Sequence, residues 1–406
     1  MLLAQDSAPQ ASGGSANEPM PPPAPDQLLA ADAPPQAEVI DAAEQRLRFT
    51  GSGAEYFRIW AVNLTLTVLT LGLYSAWAKV RRLQYFYQHT ELDGAVFDYT
   101  ARPASILFGR LLALVLLVLY YVAFDFSATA GAAVTGLLAV VLPYLLWQSN
   151  RFKARNTRYR GLTFGFEGSL GQAYRAYLPP IVVVLSPAVV AAFLLGAKSQ
   201  WVVLLLSGLG LLLLPFFHAL FRRYIQCNLR FGGTRFEFVA TAGHFAWVWV
   251  GGLALMVGAA VWMGIAMAIL TSGVMQAAGQ AEYAAFAGIA VGLLNFWLCY
   301  LAMGSYLTAQ FQRLLWEKTR IGDLGIRCAI STPRLLGIQC LNTLCVILTL
   351  GLYRPFAAIR VARYRLECMT VVATARLGSF TAGADQSRRG ATGESAAELF
   401  DMDVGL

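Results

Sequence analysis

The sequence predicts an all-α polytopic membrane protein carrying a cytoplasmic layer of repeated short β-hairpins. Three observations predict it. Hydrophobic residues make up 57% of the 406-residue chain and charged residues only 13%, with several apolar runs near the roughly 20 residues that a helix needs to cross a bilayer core. The Lys and Arg residues gather in the segments between those runs. Short hairpin signals recur in the same segments.

The chain begins with a stretch rich in Pro, Ala and Gln, residues 1–44, that holds carboxylates but no Lys or Arg. It cannot bury enough apolar surface to offset its ordering entropy and is expected to be a disordered acidic tail. The polar residues 381–406 are expected to behave likewise, leaving 45–380 as the membrane domain. The start, MLLAQDSAPQ, lacks a basic n-region, so no cleaved leader is expected.

The next element recurs. NLTLTVLTLGLYSAWAKVRRLQY, Asn63–Tyr85, returns as NTLCVILTLGLYRPFAAIRVARY, Asn342–Tyr364. Asn63 matches Asn342, LTLGLY matches LTLGLY, Arg81 matches Arg360 and Tyr85 matches Tyr364, which marks an internal repeat. Between the copies lie six apolar runs, at about 104–124, 130–148, 178–196, 201–220, 246–271 and 284–309. They pair through weakly charged turns expected at Asp125–Ala130, Ala197–Gln200 and Ser272–Tyr283. Of the 31 Lys+Arg, all but Lys198, Arg388 and Arg389 fall before the first apolar element or in the segments 79–110, 151–175, 222–235, 313–334 and 354–376. Cations favour the cytoplasmic side, so those segments and both termini are expected there.

Ile59–Trp77 and its twin Ile338–Phe356 are flanked by cations at both ends. If each crossed the membrane, one basic flank of each would lie outside. The topology is therefore six spans plus two re-entrant or short helices, or eight spans. Charge placement favours the first.

Four hairpin signals follow the basic clusters: TEL-DG-AVFDY (Thr90–Tyr99), TRY-RG-LTFGF (Thr157–Phe166), NLRF-GG-TRFEF (Asn228–Phe238) and KTRI-GD-LGIRC (Lys318–Cys328). Each has a two-residue, Gly-containing centre suited to a primed turn, between alternating apolar and polar residues. Gly94, Gly161 and Gly233 are expected at positive φ. Arg46–Thr50 and Met369–Arg376 read as further strands. Isolated hairpins are marginal, so these should join in one layer.

FTGSGAEYFRIWAVN (Phe49–Asn63), LTLGLYSAWAKVRRLQYFY (Leu69–Tyr87) and LDGAVFDY (Leu92–Tyr99) together resemble the signature of the YjgN family, DUF898, over roughly residues 45–380. The resemblance implies a polytopic bacterial inner-membrane protein. It implies no reaction and carries over no catalytic residue.

The chemistry-bearing residues are few. His89, His218 and His244 show no metal-ligand spacing, and no nucleophile–base, Walker or dinucleotide motif stands in its required context. The chain is read as no enzyme, with no metal and no cofactor. GSG at Gly51–Gly53 reads as a turn before a helix. The spans lack midplane carboxylates, which argues against a proton- or cation-coupled carrier. Candidate path residues are Asn63, Thr67, Thr70, Gly72 and Tyr74 in one repeat copy, with Asn342, Thr349, Gly351 and Tyr353 in the other. Candidate lipid-headgroup contacts are Lys79, Arg81, Arg82, Arg151, Arg222, Arg223 and Arg360, since interfacial cations attract anionic headgroups. Membrane lipids are the expected partners and nucleic acid is not. A pore or transporter for a small solute or ion is the leading reading, a lipid-interacting or scaffold protein docking a cytoplasmic partner the alternative, and a membrane enzyme the least supported. A solute, a protein partner and an oligomeric state are not legible.

Overall fold

In the computed structural model, residues 43–193, 199–277 and 281–373 are described. All four expected hairpins form around centres that tolerate a left-handed backbone. They are β3 (Thr90–Leu92) with β4 (Ala95–Tyr99), β5 (Thr157–Tyr159) with β6 (Leu162–Phe166), β7 (Leu229–Phe231) with β8 (Thr234–Phe238), and β9 (Thr319–Ile321) with β10 (Leu324–Cys328). In the first two, both central residues have positive φ: Asp93 and Gly94 at 47° and 70°, Arg160 and Gly161 at 50° and 77°. In the last two only the first does, Gly232 and Gly322 at 57° each, the pattern of a II′ turn. The expectation for Gly233 therefore moves to Gly232. A Gly-Gly centre fits either primed turn, so composition does not choose between them.

Both end strands form as well: β1 (Ala43–Arg46) and β2 (Arg48–Phe49) at the start, β11 (Met369–Ala373) at the end. Ala43 and Glu44, expected in the tail, belong to β1. The eleven strands make one sheet in the order β1-β11-β10-β9-β8-β7-β6-β5-β4-β3-β2, antiparallel at every joint. Its two edges, β1 and β2, are halves of one extended stretch. Leu47 between them donates its N–H to Met369 O at 3.1 Å, and Thr50 N–H reaches His89 O at 2.9 Å. One segment thus pairs with both ends of the sheet and curls it into a near-barrel, which leaves no free edge to seed aggregation.

The near-barrel is filled. Equivalent inward positions meet at each joint between hairpins: Phe97 opposite Tyr159, Phe164 opposite Phe231, Phe236 opposite Ile321 and Ile326 opposite Val371. With Leu47, Leu92 and Leu324 they form one apolar cluster. The outward positions carry charge, as with Asp98 opposite Arg158 and Glu237 opposite Arg320. This is the in/out alternation of a one-sided sheet.

The helices come in hairpins that alternate with the strand pairs. They are α1 (Gly53–Leu69) and α2 (Ser75–Gln88), α3 (Pro103–Phe126) and α4 (Ala128–Arg155), α5 (Leu170–Phe193) and α6 (Ser199–Cys227), α7 (Ala242–Ala277) and α8 (Ala281–Glu317), then α9 (Thr332–Leu348) and α10 (Arg354–Glu367). Pro103 opens α3 and Pro355 opens α10, where a missing N–H costs nothing. Ser127 caps α4, its Oγ accepting from Ala130 N at 3.0 Å. Each helix packs on the next, and α10 packs back on α1. Among the described residues the chain is thus a closed ring of five helix-pair-plus-strand-pair units, the fifth strand pair being β11 with β1.

Five helices, α3, α4, α6, α7 and α8, are long and apolar enough to cross a membrane. α5, which carries the expected run 178–196, is not among them over its described residues, and 194–198 lie outside those residues. The turn expected over Ser272–Tyr283 is much shorter: α7 continues to Ala277 and α8 starts at Ala281. Residues 272–277, Ser-Gly-Val-Met-Gln-Ala, contain no Pro to stop a helix, and α7 runs through them. Neither copy of the repeat is one continuous helix. Each breaks at LTLGLY and reverses, so neither Ile59–Trp77 nor Ile338–Phe356 is a single helix.

Candidate functional site

The two repeat copies are short helical hairpins, α1–α2 and α9–α10, and their bases are locked alike. The Tyr85 hydroxyl donates to Ser52 O at 2.9 Å and accepts from Ser52 N at 2.9 Å. Tyr364 does the same with Ser331, at 3.1 and 2.9 Å. Burial pushes the Tyr85 hydroxyl up to about 12, so it keeps its proton and this double role at neutral pH. The repeat pairs the two tyrosines; the helix-start serines they hold lie outside the repeated stretch, Ser52 within the GSG turn and Ser331 with no such signal beside it.

The tips explain most of the candidate path residues. Leu71 and Leu350 take φ of 50°, followed by Gly72 at 92° and Gly351 at 95°. Gly72 N–H bonds Thr67 O at 2.7 Å and Gly351 N–H bonds Val346 O at 2.8 Å, the six-to-one bond of a Schellman ending. The Thr70 hydroxyl donates to Leu66 O at 2.7 Å and accepts from Tyr74 N at 2.9 Å. Thr349 repeats this with Cys345 O and Tyr353 N, at 2.7 and 3.0 Å. Every amide from Thr70 to Ser75 and from Thr349 to Arg354 has an acceptor within its own hairpin. Around this closed backbone the leucines point outward, Leu71 at 96% and Leu350 at 95% exposure.

Asn63 and Asn342 are buried at 7% and 5% exposure, and their surroundings differ. Asn342 serves its own hairpin: its Nδ2 donates to Ala357 O at 3.4 Å and its Oδ1 accepts from Arg360 Nη1 at 3.2 Å. Asn63 Oδ1 is buried without a partner, and Thr67 Oγ1 donates to the Asn63 carbonyl at 2.6 Å. No hydrogen bond joins the two asparagines among the described residues. Removing a satisfied amide costs more than removing an orphaned one. Asn342→Leu should therefore destabilise the detergent-solubilised protein by about 1–2 kcal/mol, and Asn63→Leu by clearly less. Equal losses in thermal unfolding would show that Asn63 is as well satisfied as its twin.

The two hairpins lie side by side where the ring closes. Phe57 stacks on Phe356 with centroids 5.7 Å apart, and Arg363 Nη2 donates to Gly51 O at 2.8 Å. Gly53 leaves room for this approach, since a Cβ there would meet the Phe356 ring at 2.6 Å. Of the candidate headgroup contacts, Lys79, Arg81, Arg82, Arg223 and Arg360 are exposed. Arg151 lies over the Trp147 ring at 4.7 Å. Arg222 turns inward, its Nε 3.3 Å from His218 Nε2.

Comparison with known proteins adds a family. The profile of a family described as "Bacterial protein of unknown function (DUF898)" matches residues 44–399. "Inner membrane protein YjgN" of Salmonella typhimurium is 31% identical over 147 residues, 36% of this chain and 37% of that protein. The protein of the same name from Escherichia coli O157:H7 is 27% identical over 215 residues, 49% of this chain and 53% of that protein. The matched stretch thus covers about half or less of these relatives. No solved structure matches the chain.

Proposed function

Because the chain belongs to the DUF898 family of bacterial proteins of unknown function, its activity must be argued from its own geometry, and we propose that it is a lipid-interacting protein of the inner membrane. In this reading the strand layer faces the cytoplasm with both termini, and α1–α2 and α9–α10 dip into the cytoplasmic leaflet without crossing. The observation that carries it is the tip: an exposed Leu-Gly-Leu turn whose amides are all satisfied internally. The bilayer core penalises each unsatisfied backbone group, and none of these N–H groups is left unsatisfied. From Ser75 to Arg81, and from Arg354 to Arg360, is six residues, about 9 Å of helix, with the Leu-Gly-Leu turn beyond it. That is less than half of a ~30 Å core, so the tips stay within one leaflet while these cations lie at headgroup level. Arg354, near the second tip, lies within electrostatic reach of Tyr56 in the first turn of α1, consistent with a side chain that snorkels toward the base.

A pore along the ring axis has less support, because Tyr159, Phe164 and Phe231 fill the near-barrel beneath the helices. The test is a cysteine at Leu71 or Leu350 in an otherwise cysteine-free chain, labelled in vesicles of either orientation. Impermeant maleimide should fail from both sides while a membrane-permeant one reacts. Labelling by the impermeant reagent from the periplasmic side would mean that the tips emerge there, and the leaflet reading would fall.

A further inference from the structure

A second feature lies on different units of the ring. α2, α3, α4 and α5 enclose an open cavity of about 1350 Å³, larger than the roughly 300–1,000 Å³ of ordinary small-molecule sites. Its two ends differ. Toward the strands it is lined by Lys79, Arg110, Arg151, Lys153 and Arg155, and no carboxylate lines it among the described residues. Toward the hairpin tips it is lined by apolar residues such as Leu116, Leu138, Leu142 and Val184. Three further observations point to a ligand. Lys79, though partly exposed, is held below the usual lysine range by partial desolvation and by the nearby cations Arg110, Lys153 and Arg82, and among the described residues none of Lys79, Arg110 and Lys153 pairs with a carboxylate. Gln148, in the wall, keeps a buried Oε1 with no hydrogen-bond partner. Gly109 opens directly onto free space, a Cβ there meeting nothing within 4 Å.

We propose that this cavity is a binding site for one anionic phospholipid, its phosphate among Lys79, Arg110 and Lys153 and its acyl chains along α3, α4 and α5. Charge complementarity selects the occupant: a neutral amphiphile would leave the gathered cations uncompensated, and a free anion would leave the apolar end uncovered. A hydroxyl on the headgroup would supply the donor that Gln148 Oε1 lacks. Arg151, stacked on Trp147, adds positive potential at the same end. The site is independent of the tips of α1–α2 and α9–α10, so either reading can fail without the other.

The test uses the full chain in neutral detergent with dioleoyl phosphatidylglycerol, dioleoyl phosphatidylcholine or glycerol 3-phosphate added. Phosphatidylglycerol should raise Tm in a concentration-dependent way, as a ligand of the folded state must, and the other two should not. The double substitution Lys79→Gln, Lys153→Gln should remove most of that shift. Gly109→Trp, which occupies the cavity and leaves its charges alone, should remove it too. An equal shift with phosphatidylcholine would overturn the anionic preference. An equal shift with glycerol 3-phosphate would show an anion site without acyl contacts. A full shift retained by both variants would place the lipid elsewhere, and in each of these cases the proposal is wrong.

Discussion

Alanine in place of Phe231 should cost the fold about 3–5 kcal/mol, the range for removing a buried aromatic from a packed core. Phe231 is 5% exposed. It stands opposite Phe164 across the joint between β6 and β7, with ring centroids 4.9 Å apart, and its ring is 6.0 Å from Tyr159. The neighbours that would have to close the gap are fixed in antiparallel ladders, so the space cannot collapse cheaply. Total stabilities are about 5–15 kcal/mol, and a loss of this size should show as a large drop in the thermal midpoint or as failure to accumulate. Val96→Ala, at an exposed outward position on β4, is the matched control and should change stability by less than about 0.5 kcal/mol. If the two variants melted together, the near-barrel would not be the core of this protein.

The strand layer was legible because its signals are local. A two-residue turn centre and period-two alternation lie within ten residues of each other, and all four hairpins formed where they were read. The closure of the layer was not legible. Residues 43–50 carry no turn signal, and their partners, Thr370 and Thr90, lie at opposite ends of the sheet order. The fifth strand pair is therefore split between the two ends of the domain. The helix limits failed at two turns. The one expected at Asp125–Ala130 shrinks to Ser127 between α3 and α4, and the one at Ser272–Tyr283 gives Ser272 to Ala277 to α7. A weakly charged stretch without Pro needs only backbone continuity to stay helical.

The candidate site shows the same division. The repeat alignment correctly paired Tyr85 with Tyr364, Gly72 with Gly351 and Thr70 with Thr349, and each pair makes the same contacts. It could not tell that Asn342 is satisfied and Asn63 is not, because the partners of Asn342 come from the facing helix of its hairpin rather than from its own. Arg110 and Lys153 went unremarked for a similar reason. They lie in the basic segments as ordinary topology signals, and only the packing of α2 against α3 and α4 gathers them with Lys79.

Two truncations should separate sharply. Removing residues 1–42 leaves every described strand in place, and the shortened protein should melt close to the full chain. Removing residues 1–50 takes away the stretch that closes the sheet. β11 then loses its ladder from Ala43↔Ala373 to Arg46↔Thr370, and β3 loses Arg48↔Glu91 and Phe49↔Thr90. Both become open edges with unpaired amides, next to a membrane domain that already depends on them for ring closure. The buried Leu47 and Phe49 go as well. Each is worth about 1.5–3 kcal/mol of apolar burial, and Phe49 also stacks on Phe86 at 5.8 Å beside the Tyr85 lock. The ladder bonds add about 1 kcal/mol each, which brings the sum to the scale of a whole domain's stability. Folded protein, measured by size-exclusion profile and thermal midpoint in detergent, should therefore be recovered from the shorter deletion and scarcely from the longer one. A 1–50 deletion that elutes and melts like its 1–42 counterpart would mean that the sheet does not need to close.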